Sequence, residues 1–260
     1  MSVRLALAGN VLVRRLGRPG GAPVLALHGF GDDGRVFAPL AAQDLGPLEI
    51  LAPDLPGSGA SPPIAEPTIA GLAEAARKVA TTLAPDRRIG LLAHSIGATV
   101  ALDLVAAEPE RVAALMSLEG NLTAEDAYLS GRAADHATAD DFVTALGGRA
   151  FHRAADDPSR RRWAASFALC DPATVWALGR DAKRRSEGDA FGHAMAGLAA
   201  RGLPTRYVWS RRTVPDATRA FLEAHDVPHH ELQDVTHTIT ADAPGLAAPL
   251  IRDFFAPLLA

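Results

Sequence analysis

The chain has 260 residues, of which 48% are hydrophobic and 22% charged, with a formal net charge of −4. At this size a compact fold can bury roughly 70–75% of its extended-chain surface, so neither a metal nor a disulfide is needed to hold it together. The composition is that of a globular protein rather than a disordered or fibrous one, and the weak negative charge argues against nucleic acid or an anionic membrane as partner.

In chain order, MSVRLALAGNVLVRRLG reads as two strands turning at Gly9-Asn10. It is too short and interrupted for a signal peptide, and no apolar run reaches the eighteen or so residues of a membrane span, so the expected compartment is the cytoplasm. PVLALHG (23–29) is a buried strand, followed by a short helix near Arg35–Ala42 and a second strand, LEILAPD (48–54). Residues 68–83 place Ile69, Leu72, Ala76, Val79 and Leu83 on one helical face. RIGLLAHS (88–95) is a strand, Gly97–Ala107 a helix and AALMSLEG (113–120) another strand. This alternation predicts a mostly parallel sheet with helices on both faces.

From about 121 to 201 no persuasive strand occurs and the pattern is helical. The alternation then resumes with TRYVWS (205–210), a helix near 216–225, HHELQDV (229–235) and a last helix from about 242 to 258. The expected organisation is an α/β core made of 1–120 and 202–260, with 121–201 inserted as a helical cap.

The most informative pentapeptide is Ala93-His94-Ser95-Ile96-Gly97, set between a predicted strand and a predicted helix. A serine there sits on a tight strand-to-helix turn. Small residues two positions away on either side let strand and helix approach, and the helix N-terminus aims free N–H groups at the same place. Here the chain resembles the α/β-hydrolase family over nearly its whole length. His28-Gly29-Phe30-Gly31 looks like the family's oxyanion-loop motif, and Asp54-Leu55-Pro56-Gly57-Ser58-Gly59-Ala60-Ser61 looks like its structural D-x-P-G-x-G-x-S turn. Thr236-His237 follows the last strand, where the family keeps its catalytic histidine. The resemblance implies Ser95 as nucleophile, His237 as base, and the N–H groups of Phe30 and Ile96 as oxyanion hole. His28 and His94 lie inside motifs that the family uses structurally. Ala93 stands where glycine is more frequent.

The acid departs from the common pattern. After TRYVWS the family usually keeps an aspartate, but this chain reads Ser210-Arg211-Arg212-Thr213. A minority of the family carries the acid at the tip of the strand before the cap, and Glu119 matches that position. Asp216, three residues beyond the vacant place, and Asp234, three before His237, are the alternatives.

With Ser95, His237 and Glu119 the resemblance implies two-step acyl transfer on a small-molecule carboxylic ester, thioester or lactone, with no metal or organic cofactor. A cofactor-free lyase, a carbon–carbon bond hydrolase and a non-catalytic ligand-binding protein are the competing readings. The single cysteine, Cys170, excludes an internal disulfide and reads as a small apolar filler. The cap offers Tyr128, Phe142, Phe151, Trp163, Phe167 and Trp176 to an acyl pocket, although such residues more often hold helices together. Arg211 and Arg212, at a strand's carboxyl end, and Trp163 are the candidate substrate-binding residues.

Overall fold

The computed structural model describes residues 3–154 and 157–259. Eight strands, β1 (Arg4–Ala8), β2 (Val11–Gly17), β3 (Ala22–Leu27), β4 (Leu48–Pro53), β5 (Ile89–His94), β6 (Val112–Leu118), β7 (Thr205–Ser210) and β8 (His229–Leu232), form one sheet. Their spatial order is β1-β2-β4-β3-β5-β6-β7-β8. The N-terminal hairpin pairs Ala8 with Val11 across Gly9, whose φ of +62° suits a two-residue turn. β2 runs antiparallel to β4, and every pair beyond it is parallel.

The central strands β4, β5 and β6 are buried along their whole length, as expected of strands covered on both faces. Their alternate side chains enter two separate cores. Leu25, Leu27, Leu91 and Ala93 join α1 (Ile69–Leu83) and α2 (Gly97–Ala107) on one face. Val24, Ala26, Leu92 and Met116 meet the C-terminal helices on the other.

Between β6 and β7 the described residues form no strand. They make 3-10 turns at Ala124–Ala127 and Ser130–Asp135, then α3 (Ala139–Ala154), α4 (Pro158–Phe167), α5 (Pro172–Arg185) and α6 (Ala190–Ala200). The starts of α4 and α5 are built alike. Asp157 caps Ser159 and Arg160, Asp171 caps Thr174, and a proline follows each cap, since its missing N–H would have no partner in the first turn anyway. Phe142, Phe167, Val175 and Met195 from these helices share one apolar core with Leu27 and Ala93 of the sheet.

After β7 come α7 (Asp216–Ala224), α8 (Ile239–Asp242) and α9 (Pro244–Phe255). The last helix predicted from about 242 to 258 is α9, continued by a 3-10 turn at Ala256–Leu258; the short α8 before it is an additional element, from which Pro244 separates α9 by opening it. The short helix predicted near Arg35 is a 3-10 segment, Gly34–Ala42, with Pro39 inside it. Among the described residues no helix is long and apolar enough to cross a membrane.

Candidate active site

The site is assembled at the carboxyl ends of the parallel strands, where such sheets leave a crevice. β5 ends at His94, and Ser95 turns the chain with φ +54°, in the left-handed region that costs a non-glycine residue about 1–2 kcal/mol. The turn holds because its surroundings are small. A Cβ on Gly97 would stand 2.4 Å from the Leu27 carbonyl, and one on Gly29 would stand 3.1 Å from the Ser95 Cβ. The Ser95 N–H still donates to the Leu118 carbonyl at 3.0 Å, tying the turn to the neighbouring strand.

The tip of β6 repeats this design. Glu119 also has positive φ, +46°, and its N–H donates to the Val208 carbonyl of β7 at 2.9 Å. The turn sends the Glu119 side chain away from the sheet and into a buried site. There Oε2 lies 2.6 Å from His237 Nδ1, while Oε1 accepts from the Ser210 N–H at 2.9 Å and the Thr213 hydroxyl at 2.6 Å. Thr213, the residue at the vacant acid position, thus donates to the Glu119 carboxylate. Asp216 is 88% exposed and pairs with Arg219, and Asp234 is exposed. Neither alternative acid reaches His237.

His237 is held a second time through its backbone. His94, fully enclosed, donates from Nε2 to the His237 carbonyl at 3.0 Å. Burial, reinforced by the nearby His237, holds the His94 ring down to about 3, so it is neutral and its tautomer is set by that bond. His28 plays the corresponding part at the loop of Phe30: Nε2 accepts from the Leu55 N–H at 2.9 Å, leaving Nδ1 to donate to the Gly29 carbonyl at 3.0 Å. The Asp54 turn is structural as well, its carboxylate accepting the Gly34 and Ala60 N–H groups at 2.9 Å each.

Ser95, His237, Phe30 and Ile96 line one cavity of about 570 Å³. Ile96 stands at the N-terminus of α2, the end of a helix that favours negative charge. Trp163 also lines the cavity, but its indole nitrogen is engaged, donating to the Phe30 carbonyl at 2.8 Å. Its ring stacks on Phe167 at 5.1 Å, and both rings lie against Gly31, where a Cβ would stand 2.6 Å from Phe167. The same helix reaches the histidine loop, its Ser159 hydroxyl lying 3.3 Å from that of Thr238 and donating to Asp242 of α8 at 2.7 Å. α4 therefore bridges the loop of Phe30 and the loop of His237, a link that no motif announces.

The other sequence candidates divide. Arg212 lines the cavity, whereas the Arg211 guanidinium is held by Glu231 at 2.9 and 3.0 Å. Arg211 is outside the cavity lining, and a carboxylate on β8 holds its guanidinium. Of the aromatic residues, Tyr128 lines the cavity with Trp163, while Phe142 is buried against Phe30, Trp176 donates to the Ala133 and His136 carbonyls, and Phe151 is exposed. Burial pushes the Cys170 thiol up to about 12, which leaves it without nucleophilic thiolate at neutral pH.

The family profile of the alpha/beta hydrolase fold matches residues 22–215. Over 107 residues the chain is 39% identical to the lipase LipV of Mycobacterium tuberculosis (strain ATCC 25618 / H37Rv), and the match covers 41% of this chain and 40% of that protein. The chain thus spans less than half the length of this curated relative. The N-acyl homoserine lactonase AidH, complexed with N-butanoyl homoserine, superposes with a TM-score of 0.73 at 19% identity, covering 99% of this chain and 97% of the other. A thermophilic esterase from Thermogutta terrifontis, with malate bound, superposes with a TM-score of 0.74 at 17% identity, covering both chains completely. At such identities these two likenesses speak for the fold alone.

Proposed function

The chain belongs to the alpha/beta hydrolase fold family, and from that premise we propose that it is a serine hydrolase cleaving a small-molecule carboxylic ester, thioester or lactone. The observation that carries this reading is the meeting at one cavity of residues that follow four strands, β3, β5, β6 and β8: Phe30, Ser95 on its strained turn with Ile96 beside it, Glu119, and His237 bonded to Glu119.

His237 takes the Ser95 proton as the hydroxyl attacks the carbonyl carbon, since a neutral hydroxyl is a weak nucleophile alone. Glu119 holds Nδ1 as the donor, which leaves Nε2 to accept that proton, and it stabilises the imidazolium that forms. The N–H groups of Phe30 and Ile96 receive the charge developing on the carbonyl oxygen; losing one such donor costs about 10²–10³ in turnover. The imidazolium returns its proton to the departing group, and water repeats the sequence on the acyl-enzyme. No step calls for a metal or organic cofactor. Residues 121–201 act as the cap, covering the cavity with Trp163 and Tyr128.

A fluorophosphonate probe tests the reading. Phosphonylation of the peptide containing Ser95, with loss of both labelling and ester hydrolysis in Ser95→Ala, is the expected result. A folded wild-type protein that is not labelled, yet binds an ester ligand equally well as Ser95→Ala, would favour the non-catalytic binding protein.

A further inference from the structure

Arginine is the dominant cation of this chain, and most guanidinium groups are bound within the fold. Arg4 and Arg15 share Glu49, Arg14 pairs with Asp54, Arg185 with Asp103 and Arg211 with Glu231. Among the described residues, the side chains of Arg18, Arg132, Arg149, Arg201 and Arg212 make no hydrogen bond, ion pair or ring contact. Three of these, Arg132, Arg149 and Arg212, line the cavity that holds Ser95 and His237.

They arrive there from separate stretches: the 3-10 turn Ser130–Asp135, helix α3 and the loop after β7. The carboxylates of the same cavity are committed elsewhere. Glu119 is bonded to His237, Ser210 and Thr213. Asp126 accepts from the Leu122 and Thr123 N–H groups and from Thr218, and burial raises its carboxyl. Asp157 caps α4 and faces Arg160 at 3.3 Å. Asp32 is buried, accepts the Asp33 N–H, and is likewise pushed up by burial.

All three guanidinium groups are exposed at one cavity, and nothing in the described fold neutralises them. Each is free to donate a two-pronged hydrogen bond, the geometry that matches carboxylate and phosphate oxygens. We infer that the substrate of this site bears an anionic group, a carboxylate or phosphate, and that Arg132, Arg149 and Arg212 select it at the cavity mouth. The inference rests on the ester-hydrolase reading and narrows its substrate class. Because exposed ion pairs contribute a factor of about 1.4–5 each, the three together give a preference of about tenfold.

The test compares kcat/KM for matched esters that differ only in charge. In the acyl series, p-nitrophenyl hemiglutarate is set against its methyl-capped ester. In the leaving-group series, phenyl butyrate bearing a para carboxylate or para phosphate is set against the corresponding methyl esters. The expected result is an anion preference of about tenfold in one series, shrinking at about 0.5 M NaCl as exposed charges are screened. Comparison of carboxylate with phosphate then identifies which anion the site takes. The preference falls toward unity in the Arg132→Gln/Arg149→Gln/Arg212→Gln triple variant. It persists in Arg18→Gln, which removes one equally unpaired charge away from the cavity. Equal rates for charged and capped esters in both series, or a preference that survives the triple variant, overturns the inference while leaving ester hydrolysis intact. A wild-type protein that cleaves none of these esters and takes no fluorophosphonate label overturns both.

Discussion

The tips of β5 and β6 are neighbours in the sheet and share one backbone device, a left-handed residue that still donates to the adjacent strand. They differ in how openly they declare themselves. Around Ser95 the turn is enforced by small residues close in sequence, Ala93 and Gly97, and by Gly29 from the next strand's end. Around Glu119 only Gly120 is of this kind, where a Cβ would stand 2.2 Å from the Ser117 hydroxyl. What holds Glu119 in place instead comes from afar: Ser210 and Thr213, and His237 beyond them. One tip is specified locally, and the other by the tertiary fold.

The largest effect is expected at the carboxylate. Glu119→Gln keeps an oxygen for Ser210 and Thr213 but presents an amide donor to His237 Nδ1, favouring the wrong tautomer; turnover is expected to fall by about 10³–10⁴. Asp216→Asn is expected to leave turnover at the wild-type level. The reverse pattern in ester-hydrolysis kinetics would return the acid to the α7 side of the site.

A smaller effect is expected at the vacated position. Thr213→Val removes one of the two donors that fix Oε1, and hydrogen bonds to charged groups contribute about 1.5–3 kcal/mol. Turnover should drop by about ten- to a hundredfold with KM little changed, and Thr213→Ser should restore it. An unchanged kcat in Thr213→Val would reduce that residue to a bystander.

At the β5 tip the expected effect is on stability. The His94 ring is depressed to about 3 from 6.5, so as pH falls below about 6.5 the unfolded chain takes up a proton that the folded chain refuses. His94 therefore contributes stability in full above pH 6.5, and this is lost progressively toward pH 3, at about 1.4 kcal/mol per unit. Urea denaturation between pH 7.5 and 5 should give a shallower decline for His94→Gln than for wild type. Parallel curves would mean that the ring is not held neutral.

The α/β class, the strand order along the chain and the Ser95 turn were legible because each rests on the spacing of nearby side chains. β7 and α2 fall at their predicted bounds, and the helical run between β6 and β7 is where the apolar pattern placed it. The substrate-binding candidates were harder. Arg211 and Arg212 are adjacent, yet one is bound to Glu231 and the other lines the cavity. Sequence spacing places both at the strand end without saying which finds a carboxylate. Trp163 was readable as an aromatic near the site, but not as the donor that binds the Phe30 carbonyl, since its partner lies 133 residues away.

By itself, then, the sequence determined a doubly covered sheet, a strained serine turn and a histidine after the last strand. Periodicity, turn chemistry and small-residue crowding act over a few residues and are written there directly. Only the tertiary structure decided that Glu119, 118 residues from His237, is the carboxylate that reaches it, that Thr213 binds this carboxylate, and that Arg132, Arg149 and Arg212 find no partner among the described residues around the cavity. Such pairings depend on which side chains converge once the chain is packed, and hydrogen bonds as short as these exist only where strand order and loop path bring the atoms together.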